Sequence, residues 1–421
     1  MLWGLGVGYV ISGMYFGWNL GLIQGGTLGM AVATFFIIIL YVCFTFSYTE
    51  LACAIPKAGG AFDYVRRAMG NNMGFLAGMA QNIEFIFAPP AIAAAIGAYF
   101  NLAYQTPVIP VAIAAYLLFT GLNIVGIKTA ALVELVITLL AVGELLLFAG
   151  LTLPHVRWEA LAQDALPNGW SGVFAALPFA IWFFLGIEGV ANVAEETVNP
   201  QRTILKGFGS AILTLVVLCL LTFVSATGVA GWKTITVNGS DSPLPLALEK
   251  VVGSGDVFYH LLITVGLFGL IASFHGLILA AGRSTLEFGR VKFAPQFLGK
   301  IHPKFQTPAN ALLVNMSIGI AALLTGKTGE IITIAVFGAL SLYVLSMIAV
   351  LKLRRSEPEM VRPFKVPFYP LLPVTALVIA SVSLIAMCIF NPVLAAVYFL
   401  IVGGCFGLFK IFSASRYTKN V

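Results

Sequence analysis

The sequence predicts an all-α polytopic membrane protein of twelve transmembrane helices, arranged as a five-plus-five inverted repeat with broken first and sixth helices and two accessory helices. Three observations carry this expectation: the composition, the succession of apolar runs, and two matched interruptions. Of 421 residues, 60% are hydrophobic and 10% charged, against roughly 45–50% and 25% in soluble domains. A soluble globule is excluded, and lipid is the expected solvent.

A helix needs about 20 apolar residues to cross a bilayer. Such runs fall at 1–20, 28–49, 73–103, 109–126, 128–152, 172–194, 204–230, 257–282, 308–326, 329–351, 368–388 and 391–412. The third exceeds what a perpendicular crossing requires, so it is expected to tilt. The first lacks a basic leader and an A-x-A cleavage site, and is read as a retained helix rather than a signal peptide.

Basic residues set the orientation. With the N-terminus inside, 19 of the 23 Lys and Arg fall at cytoplasmic helix ends or loops, and only Arg157, Lys233, Lys250 and Lys327 lie on the other side. Both termini are therefore expected in the cytoplasm, at the inner membrane of a bacterium. The net charge of +6 belongs to these loops, so nucleic acid is not an expected partner; the lipid bilayer is.

The interruptions are Ser12-Gly13 in the first helix and Gly186-Ile187-Glu188-Gly189 in the sixth, five helices later. Matched breaks of this kind mark inverted-repeat carriers. They divide the chain into a first repeat at 1–152, a second at 172–351 and the accessory pair at 368–412. Lipid cannot satisfy freed N–H and C=O groups, so unwound backbone at membrane depth belongs where protein buries it or a cavity meets it. The breaks point at a binding site, with close packing through small residues as the competing explanation for either one alone.

The stretch ELACAIPKAGG, from Glu50 to Gly60, resembles the signature after the second helix of the amino acid-polyamine-organocation (APC) superfamily. FLGIE from Phe184 to Glu188, followed by EETVNPQR from Glu195 to Arg202, is similar to the region around the sixth helix of the same carriers. Within the superfamily, three stretches resemble the ethanolamine permease group: VISGMYFGWN (Val10 to Asn19), QNIE (Gln81 to Glu84, with Pro89 nearby) and ASFHG (Ala272 to Gly276). The resemblance spans essentially the whole chain and implies a secondary active transporter that imports ethanolamine by alternating access. Position 141 is Ala where some proton-coupled relatives have Lys, so their coupling mechanism does not carry over, and the coupling ion, proton or sodium, stays open. A neutral amino acid permease is the alternative within the class. A channel or a transport-like sensor is the alternative outside it, without a filter signature or an output domain to support either.

Ionisable residues inside a bilayer cost about 2.5–3.5 kcal/mol each on insertion scales, so Glu84, Glu134, Glu144, Glu188 and His275 each ask for a reason. Glu84 lies one helical turn after Gln81, on the same face. Glu188 sits within the sixth-helix break, where freed carbonyls and a carboxylate can hold an ammonium together. Glu134 and Glu144 are ten residues apart on different faces and receive no role. His275 is the histidine at mid-membrane depth, and an imidazole there is either a proton switch or one interhelical hydrogen bond. Charges at the helix ends (Glu50, Arg66, Arg67, Glu195, Glu196, Arg202) are either a salt-bridged gate or solvated.

An amine such as ethanolamine presents an ammonium and a hydroxyl, which ask for a carboxylate or carbonyls, one polar group and aromatic walls. The expected substrate-binding set is Ser12, Gly13, Tyr15, Gln81, Glu84, Phe184, Gly186, Ile187, Glu188, Ser273 and His275. No cofactor or metal is expected, because the five cysteines stand singly and no histidine has metal-ligand spacing. Gly326-Lys327-Thr328 lacks the earlier glycine of a phosphate-binding loop, having Ala321 there. Asn238-Gly-Ser240 fits a glycosylation sequon without further support, and no nucleophile-base-acid set suggests an enzyme.

Overall fold

In the computed structural model, which describes residues 2–57, 59–126, 130–196 and 200–417, the described residues are helical and carry no strand. Ten helices are long and apolar enough to cross a membrane. The interrupted first helix and the 15-residue Ala309–Leu323 complete the twelve.

The first crossing, α1, runs as Leu2–Val10 and Ser12–Tyr15 and resumes at Leu20. The helical run Leu20–Ala54 contains non-helical backbone at Gly26 (φ 63°, ψ −173°). Its first turns therefore close α1, and numbers 27–54 form α2. Only glycine takes this conformation without strain, and a Cβ there would strike Pro167 and the Ala165 carbonyl. The later crossings are α3 (Asn71–Tyr104), α4 (Val108–Val125), α5 (Ala130–Thr152), α6 (Gly169–Trp182, then 3₁₀ over Ile187–Glu196) and α7 (Pro200–Ala230). They are followed by α8 (Val257–Arg290), α9 (Ala309–Leu323), α10 (Thr328–Ser356), α11 (Leu371–Phe390) and α12 (Pro392–Tyr417). At about 1.5 Å per residue, the 34 residues of α3 exceed the roughly 30 Å hydrocarbon core, as tilting requires.

Burial separates centre from rim. Within the spanning windows, 83% of α6, 78% of α3 and 72% of α10 is buried, against 33% of α11 and 17% of α12. α6, α3 and α10 hold the interior, while α12 is the most exposed crossing and α11, at 33%, is buried about as little as α4, at 28%. Glycine brings the central helices together: a Cβ on Gly338 of α10 would lie 2.5 Å from the Ala80 carbonyl and 2.8 Å from the Glu84 nitrogen of α3.

At the lysine- and arginine-rich end, Glu50 closes α2. Its carboxylate takes both Arg354 donors at 2.7 Å, the Arg362 Nε at 3.2 Å and the Val366 N–H at 2.7 Å. Arg67 pairs with Glu357 at 2.6 Å in an exposed bridge, which holds Glu357 below the usual carboxylate range. The helix-end charges are thus divided between a buried clamp and a solvated pair. Glu195, Glu196 and Arg202 lie outside the described side chains, and Lys128 outside the described residues.

Candidate substrate site at the two helix breaks

In an unbroken α-helix the Ser12 N–H would bond the Gly8 carbonyl. Here the Ser273 hydroxyl of α8 stands between them, donating to Gly8 O at 2.6 Å and accepting the Ser12 N–H at 2.9 Å. Met14 N–H turns to Ile11 O and Phe16 N–H to Ser12 O. The chain is then extended at Phe16 (φ −160°, ψ 174°) and positive-φ at Gly17 (φ 87°), whose N–H bonds Asn19 Oδ1 at 3.1 Å. The break expected at Ser12-Gly13 therefore starts there and extends to Gly17. Asn19 fixes its far end by donating to the Ile235 and Ser240 carbonyls.

The α6 break follows Trp182. Gly186 has φ 95°, after which the chain resumes as 3₁₀ helix at Ile187, with Glu188 in its first turn. The two breaks touch, since a Cβ on Gly13 would collide with the Trp182 carbonyl and come within 3.1 Å of Phe183 Cα. Gly189 lies against the Tyr9 ring in the same way.

Glu188 is 1% exposed and Glu84 is 0% exposed. Their carboxyls are neighbours, and both Glu84 oxygens and Glu188 Oε1 are buried without a hydrogen-bond partner among the described residues. Tyr343 of α10 donates to Glu188 Oε2 at 3.0 Å, and the Tyr343 and Tyr41 hydroxyls are 3.0 Å apart. Phe184 tilts over Tyr41 with centroids 5.1 Å apart. Gln81, one turn before Glu84, gives its amide N–H to Ser284 at 3.1 Å, leaving Oε1 without a hydrogen-bond partner. Glu84, Glu188, Gly186, Ile187 and Phe184 thus gather at one place, with Ser12, Gly13 and Ser273 on the facing break and Gln81 alongside.

Two members of the expected set lie elsewhere. Tyr15 turns toward α5, donating to Glu144 and to the Ala141 carbonyl, and His275 lies 3.7 Å from Glu134. The two α5 acids left without roles therefore each have a partner. Phe274, beside Ser273, packs on Tyr116 and Phe119 of α4. Tyr41 and Tyr343 went unnoticed in the sequence, because a tyrosine within an apolar run carries no spacing signal.

Matched against known families, residues 3–409 fit the amino acid permease family. The chain belongs to this family, within the APC superfamily. Among the permease's relatives are an uncharacterized transporter of Rhizobium meliloti, 27% identical over 92% of this chain and 85% of its own. A branched-chain amino acid permease of Bacillus subtilis is 27% identical over 88% and 83%. A methylthioribose transporter of the same organism is 28% identical over 88% and 83%. All three are named as transporters or permeases, and the permease is a transporter of amino acid or amine type rather than an enzyme.

Proposed function

We propose that the permease imports a small amine, ethanolamine in particular, and that its ammonium is held at the Glu84–Glu188 pair with its hydroxyl toward the polar groups of the α1 break. The observation that carries this reading is the pair itself. Two buried carboxyls stand side by side, neither in an ion pair with a lysine or arginine among the described residues. A substrate cation between them offsets both their mutual repulsion and their burial.

The state of the α1 donors supports an amine over an amino acid. A zwitterion's carboxylate needs free N–H groups at a half-helix end. Four donors of the break, the N–H groups of Ser12, Met14, Phe16 and Gly17, bond Ser273, Ile11, Ser12 and Asn19, which leaves fewer for a carboxylate. A neutral amino acid is the second reading, favoured by the relative named as a branched-chain amino acid permease.

The proposal includes the repeat boundaries at 1–152 and 172–351, a bacterial inner membrane location and both termini in the cytoplasm. The test is uptake into liposomes with ethanolamine, choline, alanine and glycine as competitors. Competition by ethanolamine and not by alanine or glycine supports the reading; the reverse order transfers the site to amino acids. A carrier bringing in one net positive charge gains about 2.3 kcal/mol per 100 mV, so uptake should respond to an inside-negative potential. Cysteines placed near Gly239 should react with an impermeant thiol reagent from outside, and those near Lys300 should not.

A further inference from the structure

At the end of the bundle with few basic residues, Lys233 pairs with Asp164 and Lys327 with Glu330, each at 2.9 Å. The other two cations, Arg157 and Lys250, line a single cavity of about 620 Å³ together with His155. It opens between the segment after α5, the end of α7 and the short helix Pro243–Val252. No carboxylate is among its lining residues.

The cavity wall is built into the fold. The Arg157 N–H donates to the Gly228 carbonyl at 3.0 Å, and a Cβ on Gly228 would meet Val156 at 2.7 Å, so the segment lies directly on α7. Among the described residues the guanidinium bonds the Val229 carbonyl, at 3.5 Å, and His155 uses Nδ1 on the Leu151 carbonyl. Arg157 and Lys250 thus share one space with the His155 imidazole, and no acid lines it. The neighbouring surface sets its depth: Trp158 is 80% exposed and Val257 77%, and exposed tryptophan beside apolar side chains is characteristic of the headgroup level.

We infer that this cavity binds a phosphate-bearing anion, and that the phosphate is the headgroup of an anionic phospholipid. Arginine presents paired donors to phosphate oxygens, and the lysine across the cavity adds a second positive charge for the same group. The site is separate from the helix breaks, so its failure leaves the substrate reading intact.

Native mass spectrometry of the whole purified permease tests it, with added phosphatidylglycerol, phosphatidylcholine or inorganic phosphate. Phosphatidylglycerol should be retained on wild type and roughly thirtyfold less on the double variant Arg157→Gln/Lys250→Gln, at about 1 kcal/mol per basic residue, while phosphatidylcholine shows no difference. The control Lys233→Gln/Lys327→Gln removes the same charge from the same end and should retain phosphatidylglycerol as wild type does. Equal retention by wild type and the first variant, or equal loss in the control, overturns the site. Displacement of the lipid by millimolar inorganic phosphate overturns the lipid as its source.

Discussion

The Tyr343 hydroxyl donates to Glu188 Oε2 at 3.0 Å while sharing a 3.0 Å contact with Tyr41, so one oxygen of the proposed ammonium site is held in place from α10. Hydrogen bonds to charged groups are worth about 1.5–3 kcal/mol. Tyr343→Phe should therefore raise the KM for ethanolamine by about tenfold or more and, because it leaves a buried Glu188 oxygen unmet, lower the melting temperature as well. An unchanged KM means that Glu188 is oriented by the backbone alone.

Ser273 is the bridge across the α1 break. Ser273→Ala leaves the Gly8 carbonyl and the Ser12 N–H unmet in the interior, at about 1–3 kcal/mol for each. The purified variant should melt lower and lose transport, and Ser273→Thr, which keeps the hydroxyl, should recover part of both. A wild-type melting curve for the alanine variant removes Ser273 from the account of the break.

Much of the fold was legible because lipid imposes a simple rule: a crossing needs an apolar run of sufficient length, and the twelve runs are there to count. Helix faces were not legible for the same reason. In a bilayer the side of a helix that meets lipid is as apolar as the side that meets its neighbour, so no period of polarity reveals which is which. Glu84, Glu188 and Ser12 were found by their polarity and by the breaks. That Tyr15 faces Glu144, that His275 faces Glu134, and that Tyr343 reaches Glu188 with Tyr41 behind it are consequences of packing that no residue spacing records. The α1 break was placed at Ser12-Gly13 by its small residues, whereas its extension to Gly17 depends on Asn19 and the distant carbonyls it grips.

Asp241, in the segment between α7 and α8, accepts from the Thr328 hydroxyl at 2.9 Å where α10 begins. Burial pushes its carboxyl up to about 6, against the opposing pull of that hydrogen bond. The sign follows from linkage: an acid with a raised folded-state value binds its proton more tightly when folded, so stability falls as pH rises from about 4 to about 6 and stays lowered above. Asp241→Asn should flatten that fall and raise the melting temperature at pH 7.5. A melting temperature that still falls across this interval in the variant assigns the effect to another group.

His275 and Glu134 join α8 to α5 at 3.7 Å, with the Phe119 ring beside the imidazole and the Asn123 amide on its own carbonyl. Histidine is the side chain whose charge changes near neutrality. If the pair moves a proton during transport, His275→Ala should weaken the pH dependence of uptake. An unaltered profile makes the pair a structural tie between the two helices.

The central claim is that the ammonium sits with Glu188, and ethanolamine binding by calorimetry to Glu188→Gln, measured beside Glu84→Gln, tests it most directly. Glutamine keeps the shape of the side chain and removes the charge. Glu188→Gln should lose affinity by the value of a charge-assisted bond, about 1.5–3 kcal/mol or roughly ten- to over a hundredfold, at a folded yield near wild type. Loss in Glu84→Gln alone assigns the ammonium to α3 instead, and wild-type binding by both variants contradicts the account, since the substrate's charge would then be met by neither carboxyl.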